Sequence, residues 1–164
     1  ARYPEKAAAV VAIDFTPFIE REVFDALDER VNRGDRVFSS LDEVRAYLKN
    51  RYPRLPADAV ERRARHGFEC VDGEWRALAL PAAMRQTCAG LREDLAPCLK
   101  DIRVPVLLLR GADSKLVSRE AWAKTKALRP DLPAHEIAGA DHYVPEEQPA
   151  AVAAAVIDFW EAIQ

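Results

Sequence analysis

A histidine, two aspartates and two arginines stand out in this chain by where they fall in its pattern. His142 lies in Gly139-Ala140-Asp141-His142-Tyr143-Val144, directly after a short strand expected at 134–138. An imidazole on a loop at the end of a strand can reach into a cleft, where this residue type accepts and returns protons near neutral pH. A packed or surface histidine is the competing reading. His66 and His135 fall inside regular elements with no partner signal and are read as structural. A histidine base needs a carboxylate that fixes its tautomer and stabilises the imidazolium. Asp14 and Asp113 each follow an apolar run, and on spacing alone either could be that carboxylate or could cap a turn.

The nucleophile is the difficulty. The Gly-x-Ser-x-Gly turn that lifts a serine out between a strand and a helix occurs nowhere in the chain, whose serines are Ser39, Ser40, Ser114 and Ser118. Ser40 and Ser118 are accounted for as helix caps. Cys70, Cys88 and Cys98 lie in helical or turn regions without such an elbow, so a Cys–His enzyme is disfavoured. Arg30 and Arg51 fall near the ends of successive helices, and Tyr52 follows Arg51. Two guanidinium groups facing a cleft would suit a dicarboxylate, because each grips a carboxylate bidentately. Taken alone, surface charge is the simpler reading of both.

The elements that must position these residues read as an α/β chain. Ala7–Ile13 is an almost continuous apolar run that breaks at Asp14-Phe15-Thr16-Pro17, as expected of a parallel-sheet strand covered on both faces. The break falls at the strand's carboxyl end, where open α/β sheets place their ligands. From Phe18 to about Lys100 the pattern is helical. Val23, Phe24, Leu27 and Val31 form one stripe, ended by Gly34. Ser40-Leu41-Asp42-Glu43 is a capping box opening a helix to about Arg51, and a further helix, Pro56–Arg65, stops at Gly67. Val71–Trp75 reads as a turn, and 81–91 and 95–100 as shorter helices. Arg103–Gly111 is a second buried strand, and Ser118 caps a helix that Pro130 ends. A short strand at 134–138 and the His142 loop follow. Pro149 then starts a last helix with Val152, Val156, Phe159 and Trp160 on one face. This order implies a parallel sheet with right-handed crossovers. Three segments are expected: a core strand with its acid loop at 1–17, a helical lid at 18–100, and the rest of the core at 101–164.

The length suits one domain or most of one, and 49% hydrophobic with 31% charged residues is a globular balance. A net charge of −3 without a basic stripe argues against a nucleic-acid partner, and Arg62, Arg63 and Arg65 read as a solvated helix face. No apolar run is long enough to span a bilayer. Three scattered cysteines without metal-site spacing suggest reduced thiols in a cytoplasmic protein, with no metal and no cofactor expected. The first residues, Ala1-Arg2-Tyr3-Pro4-Glu5-Lys6, have neither an initiator methionine nor a signal stretch, so sequence upstream is expected.

The second half resembles the end of the α/β-hydrolase superfamily. The residues that carry this are Val104-Pro105-Val106-Leu107-Leu108-Leu109-Arg110-Gly111, then Gly139-Ala140-Asp141-His142, then the helix from Pro149 to Phe159-Trp160. The resemblance implies that His142 is the catalytic base. The commonest position for the acid, three residues past the strand-end glycine, is Ser114 here. Some branches carry the acid after an earlier strand, which corresponds to Asp14 and favours it over Asp113.

A narrower resemblance covers nearly the whole chain. It rests on Val10–Pro17, Ala26–Asn32, Arg51-Tyr52-Pro53, Leu55–Ala59, Ala83–Thr87, Gly90-Leu91-Arg92, Ser114–Ser118, Leu128–Pro133 and Gly139–Val144. It points to a branch that cleaves the amide of a small dicarboxylate in vitamin B6 breakdown with a Ser–His–Asp triad. By motif, Asp14 and His142 take the acid and base positions, and Arg30, Arg51 and Tyr52 the carboxylate-binding ones. The implied products are acetate, ammonia, carbon dioxide and succinic semialdehyde. The serine and oxyanion-hole amides of that branch lie in an N-terminal half without a counterpart in these residues, so that half is the implied partner. The stretch Asp72-Gly73-Glu74-Trp75-Arg76 departs from the branch pattern. An esterase or lactonase of the same fold, and a hydrolase-like binding module without catalysis, are the rival readings.

Overall fold

The computed structural model describes residues 3–32 and 36–164. The chain forms two compact units, one of Ala1–Glu20 with Asp94–Gln164 and one of Arg21–Glu93.

The first unit is built on three parallel strands, β1 (Val10–Ile13), β5 (Val106–Gly111) and β6 (Ala134–Ile137), in the spatial order β1-β5-β6. β5 is central and wholly buried, which is why Val106–Leu109 is a run of branched apolar residues without polar alternation. Successive side chains of a strand point to opposite faces. Leu107 and Leu109 accordingly pack with Val152 and Phe159 of α8 (Pro149–Ala162). Val106 and Leu108 pack on the other face with Val117 and with Trp122 of α6 (Arg119–Leu128). Full burial of each such side chain contributes about 1.5–3 kcal/mol, so this sheet is a firm base for the loops at its carboxyl end. α5 (Ala96–Asp101) precedes β5, and α7 (Val144–Glu147) is a single turn before α8. The stretch 139–148, read from sequence as loop, thus holds a short helix. β1 is shorter than the apolar run that announced it, because Pro4–Lys6 forms a 3-10 turn and pairing with β5 starts at Val10.

The second unit contains α1 (Arg21–Asn32), α2 (Leu41–Arg51), α3 (Ala57–His66) and α4 (Pro81–Gly90). The capping box at α2 is real but shifted. Ser40 Oγ accepts the Glu43 N–H at 3.2 Å, while the Glu43 carboxylate accepts from the Ser39 N–H at 2.8 Å rather than from Ser40. Gly67 ends α3 with φ −103°, so its glycine is not required by a left-handed cap. The reason is space: a Cβ there would lie 2.7 Å from the Arg63 carbonyl oxygen. The helix stop assigned to Gly34 falls outside the described residues.

A purely helical reading of 18–100 needs correction. β2 (Val37–Phe38), β3 (Phe68–Val71) and β4 (Glu74–Ala77) form an antiparallel sheet in the order β2-β4-β3. Val71–Trp75, read as a simple turn, is a strand end, a two-residue loop and a strand start. Asp72 and Gly73 both have positive φ (53° and 81°), as a tight hairpin matched to strand twist demands. Asp-Gly was the signal for it.

Candidate active site

At the carboxyl end of β1 the chain turns sharply through Asp14, whose φ is 50°. A non-glycine residue in this left-handed region is uncommon, and aspartate tolerates it better than most. The Asp14 N–H donates to the Leu109 carbonyl at 2.7 Å, holding the turn against the end of β5. Two residues on, buried Thr16 anchors the loop: its hydroxyl bonds Thr125 of α6 at 2.8 Å and accepts the Phe18 N–H at 3.0 Å. The β1 turn is therefore fastened from both sides.

The Asp14 carboxylate is buried and accepts three hydrogen bonds. Gly111 N–H reaches Oδ1 at 3.1 Å, Ser114 Oγ donates to Oδ2 at 2.7 Å, and His142 Nδ1 lies 2.8 Å from Oδ2. An aspartate acceptor selects the tautomer with the proton on Nδ1, leaving Nε2 able to accept a proton. His142 keeps about 40% of its side chain exposed, so the outer half of the ring is open to a reacting group. Asp113, the rival acid, is exposed, and its backbone N–H instead donates to the Ala140 carbonyl at 2.9 Å.

The loop carrying His142 is set by close approach to β5. A Cβ on Gly111 would fall 2.0 Å from the Asp141 carbonyl oxygen, so only glycine lets the two segments pass. Gly139 turns the chain with φ 72°, and the Asp141 carboxylate accepts the Lys115 N–H at 2.9 Å. Arg110, 2% exposed, donates to the carbonyls of Val117 and Ala112 and pairs with Glu136 at 2.6 Å, which stiffens the 112–117 segment that presents Ser114.

Ser114 and Gly111 are members of the site that residue-by-residue reasoning missed. In the sequence Ser114 stands where the commonest acid position of the superfamily would fall. It donates instead to the carboxylate supplied from β1, and its oxygen also accepts the Val117 N–H at 3.0 Å. His66 and His135, read as structural, are both exposed and belong to α3 and β6.

Arg30, Arg51 and Tyr52 lie in the second unit, where they share the wall of one cavity of about 630 Å³. Arg36, Tyr47 and Arg63 line it as well. Arg51 lies over the Tyr52 ring, its guanidinium carbon 5.5 Å from the ring centre. Guanidinium groups and phenols lining one cavity can bind carboxylates by charge-assisted hydrogen bonds. Among the described residues no cluster of three His, Cys, Asp or Glu side chains could hold a metal ion, and no helix is long and apolar enough to cross a membrane.

Known proteins agree with this architecture. The chain is 52% identical over 162 residues to the 2-(acetamidomethylene)succinate hydrolase of Mesorhizobium japonicum, covering 99% of this chain and 58% of that protein. It superposes on the crystal structure of E-2-(acetamidomethylene)succinate hydrolase with a TM-score of 0.93 at 52% identity, over 98% of this chain and 60% of that one. A Mycobacterium tuberculosis esterase, at 21% identity and a TM-score of 0.79, shares the fold over 98% of this chain and 56% of its own. The chain thus spans somewhat under two thirds of the length of the relatives it resembles. Residues 4–155 match the family described as the alpha/beta hydrolase family, and the chain belongs to that family.

Proposed function

We propose that this chain is the base-and-acid part of a serine-type hydrolase that cleaves the amide of a small dicarboxylate such as (E)-2-(acetamidomethylene)succinate. The observation that carries the reading is the 2.8 Å contact between His142 Nδ1 and the buried Asp14 carboxylate, both at the carboxyl ends of parallel strands. The substrate class is supported by the name of the 52% identical relative and by the arginines around the cavity of the second unit.

In this reading a serine outside these 164 residues, in an N-terminal half of the same hydrolase, attacks the acetyl carbonyl. His142 Nε2 takes the serine proton and returns it to the departing nitrogen, so the C–N bond breaks and an acyl-enzyme forms. Water, activated by the same nitrogen, then releases acetate. Asp14 holds the imidazole in the required tautomer and stabilises it when protonated. Arg30, Arg51 and Tyr52 hold the carboxylates, and the 21–93 unit serves as the lid of a cytoplasmic enzyme.

The test is a comparison of substrates on the intact enzyme. Turnover of a dicarboxylate amide should far exceed that of neutral p-nitrophenyl esters. Preference for the esters would shift the assignment to an esterase or lactonase. Absence of turnover for either class, with dicarboxylate binding retained, would leave a binding module.

A further inference from the structure

From the sequence, Arg62, Arg63 and Arg65 formed one solvated basic face of α3. The structure separates them. Arg62 pairs with Asp58 and Arg65 with Glu61, each four residues away on the same helix. Arg63 is half-buried and lines the cavity, with its guanidinium carbon 5.0 Å from the centre of the Tyr52 ring. Arg51 lies over the same ring at 5.5 Å. One phenol therefore carries two guanidinium neighbours, from the end of α2 and the middle of α3.

Among the described residues the cavity wall includes Arg30, Arg36, Arg51 and Arg63 together with Glu29. Cations gathered in a cleft focus a field that favours anions. Arginine has a long side chain whose ordering costs entropy, and a guanidinium laid on an aromatic face is already oriented before a ligand arrives. A guanidinium over an aromatic face is attracted by the negative face of the ring's quadrupole.

We propose that Arg63 is a positioning residue of the dicarboxylate pocket: stacked on Tyr52, it holds that ring in place beside Arg51. This rests on the dicarboxylate reading above. It makes Tyr52 the element through which Arg63 acts, and it makes Arg63 a determinant of preference for a dianion over a monoanion.

The experiment is steady-state kinetics on the intact enzyme, with the dicarboxylate amide and its monomethyl ester as substrates and thermal unfolding followed in parallel. Arg63→Gln keeps the stem and removes the charge, and Arg63→Lys restores charge without the planar fork. If Arg63→Ala fails to fold, these two carry the test. Arg63→Gln should raise KM for the diacid about tenfold, as misplacing the Tyr52 contact to one carboxylate would, with kcat within about twofold and little change for the monoester. Arg63→Lys should recover part of the loss. In a Tyr52→Ala background the Arg63→Gln effect should shrink to under about threefold, the non-additivity of two residues acting as one unit. Fully multiplicative effects, or an unchanged KM in Arg63→Gln while Arg51→Ala raises it, would overturn the inference alone. If Arg30→Ala, Arg51→Ala and Tyr52→Ala all leave KM unchanged, the dicarboxylate reading fails and Arg63 loses its role with it.

Discussion

The two units use charge in opposite ways. In the unit built on β1, β5 and β6, the buried charged groups have fixed partners: Asp14 accepts three hydrogen bonds and Arg110 donates to backbone carbonyls and Glu136. In the 21–93 unit three arginines at the cavity wall lie over phenol rings, Arg36 on Tyr47 and Arg51 and Arg63 on Tyr52. A group that must move a proton has to be held within tenths of an ångström, and low-dielectric surroundings enforce that only when every lone pair is satisfied. A group that grips a carboxylate can stay half-exposed and adjust. The contrast predicts that damage to the first unit removes chemistry and damage to the second removes affinity.

The largest effect should come from His142→Ala or Asp14→Asn. Each should lower kcat by roughly four to six orders of magnitude with substrate binding largely kept. An active Asp14→Asn beside an inactive Asp113→Asn would break the acid assignment. Next is Gly111→Ala, where the added methyl collides with the Asp141 carbonyl. Displacing the His142 loop by the required amount should cost about a hundredfold in activity and roughly 1–3 kcal/mol in stability, read from turnover and denaturant unfolding. Unchanged turnover would show that the loop tolerates displacement and that the first unit is less rigid than argued.

Ser114→Ala removes one donor to the buried carboxylate, which is worth about 1.5–3 kcal/mol, and kcat should fall roughly tenfold with KM unchanged. A change confined to KM would move Ser114 to the binding side of the comparison. For the second unit, Arg51→Ala should raise KM about tenfold and leave kcat within about twofold.

The smallest effect concerns the surface network joining α2 and α3. Arg45 and Arg65 hold the Glu61 carboxyl down at about 2, well below its ordinary value. A carboxylate with a depressed native pKa stabilises the fold above its unfolded pKa, and that stabilisation is lost as pH falls towards the native value. The gap in melting temperature between the native protein and Glu61→Gln should be present at pH 6 and close between about pH 4 and 2. A gap independent of pH would mean that Glu61 acts by packing.

Much of this arrangement could be read before folding was considered. The apolar runs ending at Ile13 and Leu109, the caps at Ser40 and Ser118 and the stripe of α8 are local patterns, and local patterns carry their own physics. Asp14 could be proposed because it ends such a run. The three-stranded sheet of the second unit was missed because its strands are two to four residues long and mostly exposed, so alternation had no room to show. Its one clear signal, Asp72-Gly73, marks a turn in the sequence but not the short strands on either side of it.

From the amino-acid order alone followed the α/β class, the strand ends and a histidine and an aspartate at two of them. Only the folded chain decided that Asp14 rather than Asp113 meets His142, that Ser114 donates to that carboxylate, and that Arg63 leaves its helix neighbours for Tyr52. Those partners lie 128 and 100 residues apart for the first two and eleven for the last. Helix and strand periods record which face a residue takes, but not which distant residue it faces, and that pairing arises when the sheet and helices pack.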